Sequence, residues 1–359
     1  MTSEQLAEQT LTLCQMRSPI GDERVIADYI ENWAHSVFPV EQIFRHSHSF
    51  VLGDLADSRP TVALIGHLDT VPGSPEAIQP HWVGDRLYGL GSSDMKGGLA
   101  VMMSLAQTLP LSNLPYNLVL ILYEREEGPF LESGLGPLME KKPQLGGVKL
   151  GIAFEPTDNL VQVGCVGSLH AKLRFRGQRA HSARPWQGKN AIHAAGLLLA
   201  ELDTLERHEV RVEGFPFYEV FSVTTAKGGH AGNVLPDLFE LNLNYRFAPG
   251  KNLEAAQEDV RRLVKDRAEI EFTDLAPSGR VCSENAVFKR LLDTTGLAAQ
   301  SKQAWTDVAR FSSFGIDAVN FGPGETAQAH QANESASIEA LGIAYQKMSQ
   351  FLQNKGGRP

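Results

Sequence analysis

The sequence predicts an α/β protein whose main domain carries a mixed, mainly parallel sheet and is interrupted by a small ferredoxin-like α+β domain. Three observations predict it. First, continuously apolar runs at Thr61–Gly66, Asn117–Tyr123 and Val148–Phe154 read as central strands covered on both faces, and helical patterns such as Lys96–Leu109 separate them, as in layered α/β domains. Second, the patterning changes after about Gly164. Ser168–Arg176 sets Leu169, Ala171, Leu173 and Phe175 on one face, while Leu238–Phe247 points Phe239, Leu241, Leu243, Tyr245 and Phe247 inward and Glu240, Asn242, Asn244 and Arg246 outward. Such alternation belongs to an antiparallel sheet with one wet face. Third, the α/β character returns beyond about Pro277.

Taken in order, the first helix begins near Thr2 or Ser3. A second, Asp22 to Val37, places Val25, Ile26, Tyr29, Ile30 and Trp33 on one stripe. Helices at Asn190–Glu206 and Asn252–Arg267 fall between strands and give a strand-helix-strand-strand-helix-strand unit. A helix near Asn285, a strand at Ala318–Phe321 and a final helix from Ser335 complete the chain. The simplest organisation is a main domain of 1–164 and 277–359 with 165–276 inserted into it. There is no internal repeat.

The bulk properties narrow the function. The 359 residues suffice for two cores, and with 42% hydrophobic and 21% charged residues the chain is ordinarily globular. No run of 18 apolar residues exists, so no membrane association is expected. The net charge of −9 argues against a nucleic-acid partner. Cys14, Cys165 and Cys282 are odd in number and far apart, which fits a reducing cytoplasm better than a disulfide framework. The acidic, amphipathic start Met1-Thr-Ser-Glu-Gln-Leu-Ala-Glu is unlike a signal peptide.

The chemistry-bearing residues gather at strand ends. His67 and Asp69 end the first apolar run, two apart and so on one side of a strand. Asp94 follows the turn Gly89-Leu-Gly-Ser-Ser, Glu126 and Glu127 follow the second run, Glu155 closes the third, and His330 lies in Ala329-His-Gln-Ala-Asn-Glu. Open α/β sheets build their sites at this edge. Imidazoles and carboxylates together make a metal site, and their number fits two metals. Asp69 is suited to accept the ring N–H of His67 and fix its tautomer. A dinucleotide-binding turn at Gly89–Asp94 lacks its third glycine and its long preceding strand. A non-catalytic binding or scaffold protein is the alternative from another class.

Gly66-His-Leu-Asp-Thr-Val-Pro72, Gly91-Ser-Ser-Asp-Met-Lys-Gly-Gly98, Glu126-Glu127-Gly128 and Glu155-Pro156 resemble the M20 family of dinuclear zinc amidohydrolases. The likeness continues through Ala180-His-Ser-Ala-Arg-Pro-Trp-Gln-Gly-Lys-Asn190, Gly232-Asn-Val-Leu-Pro236, Trp305-Thr-Asp-Val-Ala-Arg-Phe311, Gly322-Pro-Gly and His330. Within the family the chain is most similar to the succinyl-diaminopimelate desuccinylases, above all their actinobacterial-type branch.

The resemblance implies that His67, Asp94 and Glu155 hold one metal and Asp94, Glu127 and His330 the other, with Asp94 bridging and a cis peptide after it. It makes Glu126 the general base and Asp69 the residue that orients His67. The ions would be zinc, with cobalt or manganese accepted by the same ligands. The implied reaction is hydrolysis of the amide of N-succinyl-L,L-2,6-diaminopimelate by a water activated between the two ions. The inserted segment would serve as lid and dimerisation domain, His181 would reach the site of a neighbouring subunit in a homodimer, and Arg246, Asn233, Thr306 and Ser168 would contact substrate. Proteobacterial desuccinylases carry basic residues where this chain has Cys165-Val166, so the acyl group, succinyl or acetyl, stays open. N-acetylornithine deacetylase, aminoacylase and metallopeptidase share the ligands and are the rivals within the family.

Overall fold

The protein is described here by a computed structural model covering residues 1–73 and 79–354. It divides into two compact units, one of Met1–Gly164, Arg280–Lys302 and Thr306–Pro359, the other of Cys165–Gly279 with Gln303–Trp305.

The first unit is organised by an eight-stranded mixed sheet. Its strands run in the order Ile43–His46, Ser49–Leu52, Asn117–Tyr123, Thr61–His67, Val148–Ala153, Ala318–Asn320, Val161–Val163 and Ala299–Ser301. Thr61–His67 lies parallel to both neighbours, and Val148–Ala153 is parallel to Ala318–Asn320. The outer hairpin is antiparallel. Every residue of Asn117–Tyr123 is buried, which is why this run is apolar without alternation. Each such Leu, Ile or Val removed from water contributes about 1.5–3 kcal/mol.

The helices follow their local signals. Ser3–Gln15 opens on a capping box in which Thr2 and Gln5 exchange hydrogen bonds. Asn285 caps Ala286–Thr295 through the backbone N–H groups of Val287 and Phe288. Two expectations are corrected. In Arg24–Val37 the buried stripe is Ile26, Ala27, Ile30 and Ala34, and Val25 is 54% exposed; the small alanines let the helix approach closely, which rotates the contact away from Val25. The last helix starts at Ile338, because Ser335–Ser337 first pairs as a strand with Arg86–Tyr88.

The second unit is a five-stranded antiparallel sheet in the order His208–Val212, Phe215–Gly228, Leu238–Phe247, Gly167–Arg176 and Glu269–Ala276. Its last four strands and two helices form the expected strand-helix-strand-strand-helix-strand unit; His208–Val212 is an added edge strand. Leu169, Leu173, Phe175, Leu243, Tyr245 and Phe247 pack against Ala195 and Leu198 of one helix and Val260 and Val264 of the other. The period-two pattern of the sequence is thus the imprint of a sheet covered on one face.

Candidate metal centre

His67 ends the strand Thr61–His67 with 1% of its surface exposed, and Asp69, two residues on, is fully buried. The His67 Nδ1 lies 3.0 Å from the carbonyl oxygen of Asp69 and 3.6 Å from its Oδ1. The nearer acceptor of the ring N–H is therefore the main chain, where the sequence pointed to the carboxylate. That carboxylate also accepts the backbone N–H of Glu126 on Oδ1 and of Glu127 on Oδ2, both at 3.0 Å. With Nδ1 so engaged, Nε2 is the ring atom turned toward Asp94.

Asp94 stands in a turn that has to be tight. Gly91 has φ 80°, and a Cβ there would meet Thr70 Cγ2 at 2.7 Å, so only glycine fits. The Asp94–Met95 peptide is cis. Asp94 Oδ1 is 3.3 Å from His67 Nε2, and its Oδ2 is 3.7 Å from His330 Nε2. His330 Nε2 also lies 3.0 Å from Glu127 Oε1. The ligating atoms of His67, Asp94 and Glu127 all fall within 4.8 Å of one another. One carboxylate thus faces two imidazoles, one with each oxygen.

The electrostatics are those of too much buried negative charge. Burial, with Asp94 next, pushes the Glu155 carboxyl up to about 7. Burial also drives Glu126 well above the usual carboxylate range, reinforced by Glu155 and Glu127 and opposed by His67. The hydrogen bond to Glu127 lifts His330 to about 9. A divalent cation relieves this repulsion, and imidazole nitrogens with carboxylate oxygens are the donors that zinc, cobalt and manganese accept. The residues present fit such ions.

The remaining candidates lie apart from these ligands in sequence. Thr306 is buried in the first unit. In the second, Ser168 and Arg246 are register partners on adjacent strands, and Arg246 Nε donates to Asn244 Oδ1 at 3.0 Å. His181 is exposed and bridges to Val234, and the backbone of Asn233 accepts the N–H of Ser182 at 2.9 Å, so these two candidates share one loop cluster.

Sequence reasoning missed Glu334. It is 3% exposed and accepts the backbone N–H of Gly91, Ser93 and Asp94 at 2.7, 2.8 and 2.8 Å. Ser93 and Glu325 exchange two further hydrogen bonds. The segment bearing His330 is thereby tied to the turn bearing Asp94. Lys96 was also passed over; it is buried and donates to the Met16 carbonyl at 2.7 Å. Nothing in the local pattern marks either residue, because their partners are main-chain groups far away in the chain.

Comparison with known proteins gives the family. The profile of "Peptidase family M20/M25/M40" matches residues 63–354. A succinyl-diaminopimelate desuccinylase of Corynebacterium glutamicum is 35% identical over 351 residues, covering 96% of this chain and 95% of that protein. An acetylornithine deacetylase of Myxococcus xanthus is 31% identical over 308 residues, covering 81% and 79%. The crystal structure of a tripeptidase from Staphylococcus aureus superposes with a TM-score of 0.80 over 98% of both chains at 19% identity, a likeness of fold. The chain belongs to the peptidase family M20/M25/M40 and is a metal-dependent amidohydrolase.

Proposed function

We propose that the chain hydrolyses the amide bond of N-succinyl-L,L-2,6-diaminopimelate to succinate and L,L-diaminopimelate, with two divalent ions held by His67, Asp94, Glu127, Glu155 and His330. The observation that carries the chemistry is the placement of Asp94, one oxygen toward His67 and the other toward His330. Support for the substrate comes from the full-length likeness to a desuccinylase.

Bound ions, zinc by preference, would supply Lewis acidity that polarises the amide and acidifies the attacking water. Glu126 takes the proton of that water as its oxygen adds to the carbonyl carbon. The same carboxyl then delivers the proton to the amine nitrogen as the C–N bond breaks. The Asp69 carboxylate holds the turn that carries Glu126, and the Asp69 carbonyl orients His67. Arg246, its Nε steadied by Asn244, offers a fork for a substrate carboxylate, with Ser168, Asn233 and Thr306 as further contacts.

His181 acts as a donor to the oxyanion in the site of a second copy, so the working form is a homodimer. The exposed Ile192 and Leu197 on the helix Ala191–Thr204 are consistent with a covered surface there. No helix among the described residues is long and apolar enough to cross a membrane, and Cys14, Cys165 and Cys282 form no disulfide. These features accord with work in the cytoplasm.

Turnover of N-succinyl-L,L-diaminopimelate, N-acetylornithine and a simple dipeptide by the zinc-loaded protein tests the substrate. The first should be strongly preferred; preference for either of the others refutes this choice. The acetyl rival draws on the absence of basic residues at Cys165-Val166.

A further inference from the structure

We propose that Glu23, His48 and Glu124 form a further divalent-cation site, suited to zinc, that fastens the strand end leading to Glu126. The three residues arrive from separate elements of the first unit. Glu23 immediately precedes the helix Arg24–Val37, His48 lies in the turn joining Ile43–His46 to Ser49–Leu52, and Glu124 directly follows Asn117–Tyr123. The antiparallel register Phe50↔Leu122, continued two residues outward, sets His48 opposite Glu124.

Each carboxylate has one oxygen held by the main chain and one aimed at a common point. Glu23 Oε1 accepts the N–H of Gly21 at 2.7 Å, and Glu124 Oε1 accepts that of His48 at 3.2 Å. The other two oxygens face His48 Nδ1, Glu124 Oε2 at 2.9 Å and Glu23 Oε2 at 3.8 Å. The three ligating atoms lie within 4.8 Å of one another. Zinc with bonds of about 2.0–2.2 Å spaces tetrahedral ligands roughly 3.3 Å apart, between the two separations seen.

A second observation points to a ligand. Glu23 is fully buried, yet its Oε2 has no hydrogen-bond partner. A buried carboxylate oxygen without a partner is costly. The His48 ring does not meet the need, because a single Nδ1 hydrogen serves Glu124 and leaves Glu23 beyond hydrogen-bond reach. A cation has no such directionality and satisfies all three atoms together. Burial already pushes the Glu23 carboxyl up, with Asp69 and Glu124 adding like charge, and a cation would reverse that strain. The His48 side chain is 26% exposed, which leaves room for entry and for a water as fourth ligand.

The backbone of Glu124 is held on both sides. Its N–H donates to Ser49 Oγ at 3.1 Å and its carbonyl accepts from Gly134 at 2.9 Å. A cation here therefore fixes the side chain of a residue whose main chain is already anchored, two positions before Glu126.

The test compares metal-free full-length wild type with His48→Gln and Glu23→Gln by equilibrium dialysis against Zn²⁺, followed by metal analysis. Wild type should retain one zinc per chain more than either variant, and the zinc-induced rise in Tm should be smaller in both. Equal zinc content in wild type and His48→Gln overturns the site. His48 lies in a partly exposed turn, so this variant keeps the test valid if Glu23→Gln does not fold. Failure of the dinuclear reading would lower the total in all three proteins alike and leave the difference of one intact.

Discussion

The Asp69 carboxylate accepts the backbone N–H of Glu126, 3.0 Å from donor to Oδ1, and takes that of Glu127 on its other oxygen. Asp69 is thus the joint between two strand ends. Its carbonyl meets His67, and its side chain shapes the turn that presents the base and a ligand. Burial alone would raise its pKa, but the contact with His67 and the two N–H donors outweigh it and hold the carboxyl below its usual range.

Asp69→Asn should therefore damage kcat more than KM. The amide has one acceptor oxygen for two donors, so one N–H is left facing an NH₂ group at a cost of about 1–3 kcal/mol. Displacement of the turn moves Glu126 away from the attacking water. Steady-state kinetics with parallel metal analysis checks this: an unchanged kcat at full metal content would contradict the role.

Glu126→Gln should keep both metals and lose about 10²–10⁴-fold in kcat, the usual worth of a positioned base. Glu127→Ala should instead lose metal, because the Glu127 carboxylate is the 3.0 Å partner of His330. Inductively coupled plasma analysis beside turnover separates the two. Wild-type activity in Glu126→Gln would remove the proton-transfer role.

Glu334→Gln should loosen the Asp94 turn without touching a ligand. Oε1 serves Ser93 and Asp94 while Oε2 serves Gly91, so the amide nitrogen must face at least one N–H donor in a buried place. Zinc affinity should fall about 10–100-fold, as for other groups that orient ligands. Isothermal titration with Zn²⁺ reads the change; affinity equal to wild type would show that Glu334 only fills space.

Zinc loading should release protons. In the metal-free protein near neutral pH, His330 lies below its raised pKa of about 9 and is charged, and His67 is likewise held protonated. For His67 burial opposes the charge, but Asp69 and Asp94 outweigh it. Metal binds neutral imidazole, so each histidine must give up its proton and affinity rises with pH. Above about 9 His330 is already neutral, and its share of the release disappears. Titrations in buffers of different ionisation enthalpy, at neutral pH and above this value, measure the count. A release that does not change between the two would contradict the assignment.

Much of the fold could be read in advance from local order. The run Asn117–Tyr123 was apolar without interruption because the strand is covered on both faces, and Leu238–Phe247 alternated because its sheet is covered on one. Most candidate ligands stood out for the same reason: His67, Asp94, Glu127 and Glu155 end or follow a strand or a glycine turn, whereas His330 lies in a turn with neither. The stripe of Arg24–Val37 was misplaced at Val25, since helical periodicity leaves a neighbouring face open until a packing partner chooses between them.

Sequence by itself determined the two kinds of sheet, the central strands and most of the helices, and a set of imidazoles and carboxylates suited to a metal. Tertiary structure alone decided what each oxygen of Asp69, Glu334 and Glu23 is doing. Those oxygens answer to main-chain N–H groups, or to a histidine brought in by a neighbouring strand. A backbone donor carries no residue identity, and its position depends on how distant segments pack, so no pattern of residue types along the chain records it.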